Sequence, residues 1–273
     1  MKRIAVLAIA FSTVVHAGGP SADILERVPL AARTVFQLYA KSERGTASGS
    51  AVMVGPGLLA TSCHVMGDAA QAVVVQTGEA IPVSLVAADW RRDLCILESG
   101  LIDTRASPLR PASRLRKSDR VFSLGFTGGR FAYSTGELRQ LYAMDGSRVL
   151  RGSAAFAAGA SGGGLFDAEG RLVGILTFYK LSRDGSMFFA IPADWVPEVL
   201  AAGIQPRTPE TRPFWAETHS ARADFLQAVQ YEFEGRWDLL AHYAEQWLAR
   251  EPDAAEARET LEEALSRSAA QAH

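Results

Sequence analysis

The stretch GASGGGLFDAEGRLVGILT, residues 159–177, decides between two settings for its single serine. Ser161 lies among four glycines, which permit strained turns and a close approach by a second molecule. The stretch also fits the pattern G-x-S-x-G, where a nucleophilic serine stands between a strand and a helix. Here glycines, a turn at 167–170 and a further apolar run follow, which disfavours a helix. We therefore expect Ser161 in an all-β setting, as a turn residue or as a nucleophile.

Residues 34–197 have the same sequence pattern as this stretch, in which short apolar runs are separated by Gly, Pro, Ser or Asp. The clearest runs are TVFQLYAKS (34–42), GSAVMV (49–54), GLLATSCHV (57–65), AVVVQT (72–77), IPVSLVAAD (81–89), DLCILES (93–99), RVFSLGF (120–126), RLVGILTFYK (171–180) and MFFAIP (187–192). Many short strands without intervening helical periodicity predict an antiparallel sandwich or barrel. The β domain is expected to span 34–200.

The two ends of the chain differ from this domain. Residues 1–17 combine a positive start, a short apolar run and a small-residue cleavage site, which predicts a signal peptide and export to the periplasm or the medium. A retained anchor is the alternative, and no later segment predicts a membrane span. Residues 18–33 are expected to be a connector. A proline-rich linker is expected at 201–222, because three prolines fall within 203–213.

Helical periodicity at 223–268 predicts a small helical unit after the linker. Ala228, Tyr231, Gly235 and Pro252 fall at the offsets of a tetratricopeptide repeat, so the unit resembles one such hairpin. Trp247 stands where that repeat has a small residue. The unit is therefore expected either to hold a protein partner or simply to pack on the β domain.

Composition and cysteine content give no support to a nucleic-acid partner, a metal or a cofactor. The chain has 273 residues, 48% of them hydrophobic and 21% charged, with a formal net charge of −2. This charge gives no support to a nucleic-acid partner. Cys63 and Cys95 lack the spacing of a zinc site, so neither a metal nor a cofactor is expected. They are either two buried thiols or, after export, one disulfide.

The histidines restrict which residue can serve Ser161 as a base. Of the five histidines, His64 alone falls within the β region, at the end of an apolar run. Asp93 opens another run 29 residues later. A serine hydroxyl needs a base to take its proton, and that base needs an acid that orients it. His64, Asp93 and Ser161 are therefore the candidate catalytic residues, in the chain order His, Asp, Ser.

These residues carry a resemblance to the trypsin-like serine proteases, in the HtrA-type branch. SGSAVMV and GLLATSCHV are similar to the first barrel of that family, LVAADWRRDLCIL to its acid segment, and FFAIP to its closing strand. In the family the second of two aspartates four apart is the acid, which selects Asp93 over Asp89. GASGGGLFDAEGRLVGILT resembles the nucleophile loop and the hairpin behind it.

The resemblance implies a chymotrypsin-like fold of two six-stranded β-barrels, with a serine endopeptidase site in the cleft between them. It implies an oxyanion hole formed by the N–H groups of Gly159 and Ser161. It also implies a pocket with Ala155 at its base, and an edge at Thr177, Phe178 and Tyr179 that pairs with a peptide or unfolded protein. Without an acidic residue at the pocket base, a small or medium apolar residue is expected before the cut.

The sequence departs from the family at several points. Ala160 replaces the usual Asp or Asn, so no activation by a new N-terminal ammonium is expected, and the order of the loop must come from elsewhere. No counterpart of the PDZ domain common in the family is expected within these residues. A protease-fold binding protein with an idle Ser161, and an esterase with the same triad, remain alternatives. If His64 and Asp93 meet, Cys63 and Cys95 are expected to lie close, whether or not they are bonded.

Overall fold

The computed structural model describes residues 22–100, 105–181, 185–218 and 222–271. The predicted signal peptide at 1–17 lies outside these residues, as do His16, His219 and His273. Two β-barrels and six helices make up the described chain. None of the described helices combines the length and the apolar character that a membrane span requires.

The first barrel is closed by six antiparallel strands in the order β1-β2-β3-β6-β5-β4. They are β1 Val35–Ser42, β2 Gly45–Gly55, β3 Leu58–Ser62, β4 Gln71–Gln76, β5 Glu79–Asp89 and β6 Leu94–Ser99. Leu38, Met53, Leu59 and Leu97 point inward and are fully buried. The β2–β3 connection is a tight turn at Pro56 and Gly57.

The second barrel is also closed and antiparallel, in the order β10-β11-β12-β9-β8-β7. Its strands are β7 Arg120–Thr127, β8 Arg130–Met144, β9 Ser147–Gly152, β10 Gly164–Asp167, β11 Leu172–Lys180 and β12 Met187–Pro192. Apolar side chains such as Val121, Leu150 and Leu165 fill its interior. The prediction of two six-stranded barrels with a helical appendage is confirmed.

Helices lie around the barrels and after them. They are α1 Ala22–Ala32, α2 Cys63–Met66, α3 Trp195–Ala202, α4 Asp224–Phe233, α5 Trp237–Arg250 and α6 Ala255–Gln271, with 3₁₀ turns at Ala112–Arg114 and Phe214–Ala216. The segment expected to be a connector at 18–33 contains α1, which buries Ile24, Val28 and Ala31. Because these residues recur at helical spacing, α1 presents one apolar face to the barrels.

The segment expected to be a linker at 201–222 folds back over the first barrel. Ile204 forms a parallel bridge with Ala88 at the end of β5. Further along, the Phe214 N–H donates to the Arg91 carbonyl at 2.7 Å, in the loop between β5 and β6. The segment therefore runs beside the loop that carries Asp93.

The three-helix tail packs on the second barrel. Phe225 of α4 is buried and stacks on Tyr142 of β8, with ring centroids 4.6 Å apart. Arg151 of β9 donates to both carboxylate oxygens of Glu232, each at 2.6 Å. The sequence left open a packed appendage or a partner-binding hairpin, and these contacts describe packing on the barrel.

Candidate active site

Asp93 lies fully buried at the start of β6 and receives four hydrogen bonds through its side chain. Its Oδ1 accepts the His64 backbone N–H at 2.8 Å. Its Oδ2 accepts from His64 Nδ1 at 2.7 Å, from Thr177 Oγ1 at 2.6 Å and from Trp215 Nε1 at 3.2 Å. Asp93 also has φ of 59°, in the left-handed region, which Asp tolerates better than most residues. A buried carboxylate with this many donors is held in one orientation.

His64 stands between this buried acid and the solvent. It lies in α2, directly after β3, and its side chain is 29% exposed. An ionised carboxylate only accepts hydrogen bonds, so Nδ1 carries the proton that faces Asp93. The other ring nitrogen, Nε2, is then left as an acceptor. This tautomer is the one that a general base requires.

Ser161 lies in the loop before β10, across from β3. Its Oγ donates to the carbonyl of Thr177 at 3.1 Å. Among the described residues no hydrogen bond joins Ser161 to His64. Gly162 explains the close approach of the two barrels, because a Cβ there would lie 2.2 Å from Thr61 Oγ1. The three predicted residues are therefore linked through Thr177, which touches both Ser161 and Asp93, while Asp93 touches His64.

The residues before Ser161 form a tight turn with free N–H groups. Ala160 N–H donates to the Ala157 carbonyl at 3.0 Å, and Gly159 at the third position has φ of 96°. These are the features of a type II turn, which requires glycine at that position. Within the described chain, neither the Gly159 nor the Ser161 N–H donates to another group. Both N–H groups are therefore available as donors.

Ser50 of β2 supports this turn from the first barrel. Its buried hydroxyl donates to the Gly159 carbonyl at 2.9 Å and accepts the Phe126 N–H at 2.8 Å. The Ser50 N–H also donates to the Ser161 carbonyl at 2.8 Å. Ser50 thus connects both barrels to the loop that contains Ser161. Nothing in the sequence pattern singled out this serine.

The side of the cleft beyond Ser161 carries the predicted substrate contacts. Residues 177–180 of β11 extend beyond the end of β10, which leaves one edge of β11 without a partner strand among the described residues. Ala155, expected at the base of a pocket, is exposed. Its neighbour Phe156 contacts Tyr179 edge to face at 5.5 Å. An aromatic side chain that the sequence analysis overlooked therefore lines this side.

The cysteines join α2, which contains His64, to β6, which directly follows Asp93. Cys63 and Cys95 form a disulfide, with Cα atoms 4.9 Å apart, and both residues are buried. The expected proximity is thus present, and the bond that the sequence left open is made. No cluster of three or more potential metal ligands occurs in the described ranges.

Trp215 is the third residue that the sequence analysis overlooked. It lies in the 3₁₀ turn Phe214–Ala216, and its ring meets the His64 ring edge to face at 5.5 Å. It also stacks against Phe178 at 5.6 Å. A tryptophan in a proline-rich stretch gives no periodic signal, so only the fold brings it to the site.

Comparison with known proteins shows which families the chain is similar to. The family model described as the trypsin-like peptidase domain matches residues 49–175. The chain is 28% identical over 163 residues to the anti-sigma-I factor RsgI9 of Acetivibrio thermocellus, which covers 58% of this chain and 23% of that protein. It is 30% identical over 161 residues to the serine protease Do-like HtrB of Bacillus subtilis, covering 53% and 35%. The chain therefore spans a minor part of these curated relatives.

Solved structures give the same result. The HtrA-type protease AlgW with a tripeptide superposes with a TM-score of 0.60 at 30% identity, covering 67% of this chain and 63% of that one. The active form of the Rv3671c protease of M. tuberculosis superposes with a TM-score of 0.60 at 21% identity, covering 77% and 99%, which bears on the fold alone. Residues 49–175 therefore match the trypsin-like peptidase domain, and the chain resembles the HtrA-type proteases in fold and in part of its sequence.

Proposed function

We propose that the protein is a serine endopeptidase in which Ser161 is the nucleophile, His64 the general base and Asp93 the residue that orients it. The observation that carries this proposal is the 2.7 Å contact between His64 Nδ1 and the buried Asp93 carboxylate. That contact leaves Nε2 as an acceptor in a histidine that solvent and substrate can reach.

The mechanism begins with a change of partner for the Ser161 hydroxyl. In the resting site that hydroxyl donates to the Thr177 carbonyl. A substrate backbone N–H competes for the same carbonyl, so binding along β11 frees the hydroxyl to turn toward His64 Nε2. Nε2 takes the proton while Oγ bonds to the scissile carbonyl carbon, and the carbonyl π electrons move to its oxygen.

The Gly159 and Ser161 N–H groups then donate to the oxyanion of the tetrahedral intermediate. Donors of this kind contribute about 3–4 kcal/mol each to the transition state. The protonated His64 gives its proton to the leaving amine as the C–N bond breaks, which leaves an acyl group on Ser161. Water, deprotonated by His64, releases the acid and restores the serine.

The proposed substrates are extended or unfolded protein segments. The free edge at residues 177–180 supports this, because an extended peptide can add there as a further strand. Phe156 and Tyr179 beside Ala155 support an apolar residue of small or medium size before the cut. Ala155, Phe156 and Tyr179 carry no negative charge, so an arginine or lysine of the substrate gains no ion pair from them.

Export to the periplasm or the medium is part of the proposal. Residues 1–17 have the pattern of a signal peptide, and the Cys63–Cys95 bond fits an oxidising compartment. The helical tail is left without an assigned partner, since its described contacts are with the second barrel and with Phe214.

The first experiment is labelling of the mature protein with a fluorophosphonate, which phosphonylates an activated serine. We expect wild-type protein to be labelled, and the variants Ser161→Ala and His64→Ala to be unlabelled. Ser153→Ala, on the second barrel, is the matched control and should label like wild type. Absence of labelling in folded wild-type protein would contradict the proposal and favour a binding protein on a protease fold. Peptide and ester substrates then separate a protease from an esterase.

A further inference from the structure

The segment after α3 is anchored to the loop that carries Asp93. The Ala88 N–H donates to the Gly203 carbonyl and the Gln205 N–H donates to the Ala88 carbonyl, at 3.2 and 2.9 Å. The Trp90 indole N–H donates to the Gln205 carbonyl at 3.1 Å. These bonds fix the segment at the start of the Asp89–Asp93 loop.

Further contacts hold the segment between residues 214 and 217. Phe214 is fully buried between Phe178 and Phe225, with ring centroids 6.0 and 6.3 Å away. Arg91 Nε donates to Glu217 at 3.1 Å. Residue 215, between Phe214 and Glu217, is therefore held in a defined position even though the surrounding sequence is rich in proline.

Trp215 contacts the catalytic candidates through both its N–H and its ring. The N–H reaches Asp93 Oδ2, the same oxygen that accepts from His64. The ring touches His64 edge to face and stacks on Phe178. Tryptophan has a polar N–H on a large apolar ring, so one side chain can both orient an acid and shape a cleft.

The position of the ring relative to the substrate edge follows from strand geometry. Successive side chains of an added strand point to opposite faces. Phe156 and Tyr179 lie on the side where the residue before the cut is expected. The preceding substrate residue then points the other way, toward His64, Phe178 and the Trp215 ring.

We propose that Trp215 is a positioning and specificity-determining residue of this site. Its indole N–H fixes Asp93, and its ring limits the size of the substrate residue one place before the residue at the cut. This inference rests on the proposed function, which it extends to a residue outside both barrels. Small residues such as Gly, Ala and Ser are therefore preferred at that substrate position.

The contact with Asp93 is tested first without using activity, in Ser161→Ala protein. Proton NMR should show the His64 Nδ1 proton far downfield, and Asp93→Asn should abolish that resonance. Trp215→Phe removes one donor from Oδ2, so the proton shared with His64 should move further downfield. Trp237→Phe, the same change in the tail, should leave it in place. An unmoved resonance in folded Trp215→Phe would overturn the positioning role.

Kinetics then separate the two parts of the inference. Trp215→Phe keeps most of the ring, so kcat should fall about tenfold while the preference at the neighbouring substrate position stays. Trp215→Ala should lower kcat similarly but accept Leu or Phe there, seen as a fall in KM for those peptides. Unchanged preference in Trp215→Ala would overturn the specificity role. An unlabelled wild type would instead refute the proposed function, and the NMR result would still stand.

Discussion

At the scale of single residues, Ala160 raises the question of what holds the loop around Ser161 in its conformation. Ala160 is buried, and its Cβ lies 2.7 Å from where a Cβ on Gly125 would stand. A carboxylate at 160 would enter the same apolar cluster and would need a charged partner there. Ser50 supplies order in another way, because it bonds to Gly159 and Phe126 from the opposite barrel. An N-terminal ammonium is then not needed to hold the turn.

Ser50→Ala tests this role of a single hydroxyl. The change leaves the Gly159 carbonyl and the Phe126 N–H unpaired inside the protein, so we expect stability to fall by about 1–3 kcal/mol. The turn also loses its support, so the rate of fluorophosphonate labelling should fall about 10- to 100-fold. Ser48→Ala, at an exposed position of the same strand, is the control. Labelling at the wild-type rate in folded Ser50→Ala would contradict the role.

At this scale the sequence identifies a candidate site residue where few residues of the chain could fill its chemical role. His64 was found because no other histidine falls within the β region, and Asp93 because its position matches the acid of the family that the sequence resembles; His64 Nδ1 and Asp93 Oδ2 lie 2.7 Å apart. Ser50, Phe156 and Trp215 were missed, because their residue types are common in cores and turns. Their importance arises from contacts between elements far apart in the chain.

At the scale of elements, the disulfide joins β6 to the residue after β3. Cys63 directly precedes His64, and Cys95 follows Asp93 by two residues. The disulfide therefore joins the chain next to His64 to the chain next to Asp93. The backbone repeats this link, because the Cys63 N–H donates to the Asp93 carbonyl at 3.1 Å. The first barrel therefore holds its two catalytic candidates by a covalent and a hydrogen-bonded connection.

Replacement of both cysteines by alanine should lower the free energy of unfolding by about 3–4 kcal/mol, because the unfolded chain loses a cross-link between residues 32 apart. Urea unfolding monitored by fluorescence measures this. Reductant should destabilise the wild-type protein toward the same midpoint and leave the double variant unaffected. Equal midpoints for oxidised wild type and the double variant would contradict the prediction.

Element prediction succeeded where apolar runs were long. Each of the nine runs quoted from the sequence contains strand residues, although GLLATSCHV continues into α2. No run was quoted for β8, β9 or β10, of which β9 and β10 are short and carry glycine or charge at their ends. Helix α1 was missed because Pro29 and mixed polarity obscure its buried spacing of Ile24, Val28 and Ala31. Tertiary packing, rather than local preference, determines these elements.

The ion pair between β9 and α4 gives a second test at this scale. Burial acts to lower the pKa of Arg151, but Tyr142 and Glu232 outweigh it and raise that pKa above its ordinary value. Arg151 therefore stays charged, and Glu232→Gln would leave it without an anionic partner. We expect a loss of about 3 kcal/mol in unfolding experiments. Glu234→Gln, at an exposed turn position two residues further along, should lower the stability little. Equal losses of stability in the two variants would argue against a special role for the ion pair.

At the scale of the whole molecule, α1, both barrels and the tail contribute side chains to one hydrophobic cluster. It includes Ile24 of α1, Ile96 of the first barrel, Phe122 and Phe189 of the second barrel, and Phe225 and Trp247 of the tail. Phe214 connects this cluster to the candidate site through Phe178. The tail is therefore part of the structure that holds Trp215 beside Asp93.

Phe225→Ala tests whether this shared core makes the molecule one folding unit. The side chain is buried against Tyr142 and Phe214, so its loss should cost about 3–5 kcal/mol through the cavity left behind. Because the core is continuous, far-UV signal and fluorophosphonate labelling should be lost together on heating, at one lower midpoint. Leu265→Ala, 54% exposed on α6, should not shift that midpoint. If the tail melted first while labelling persisted, the barrels alone would hold the site and Phe225 would have no part in it.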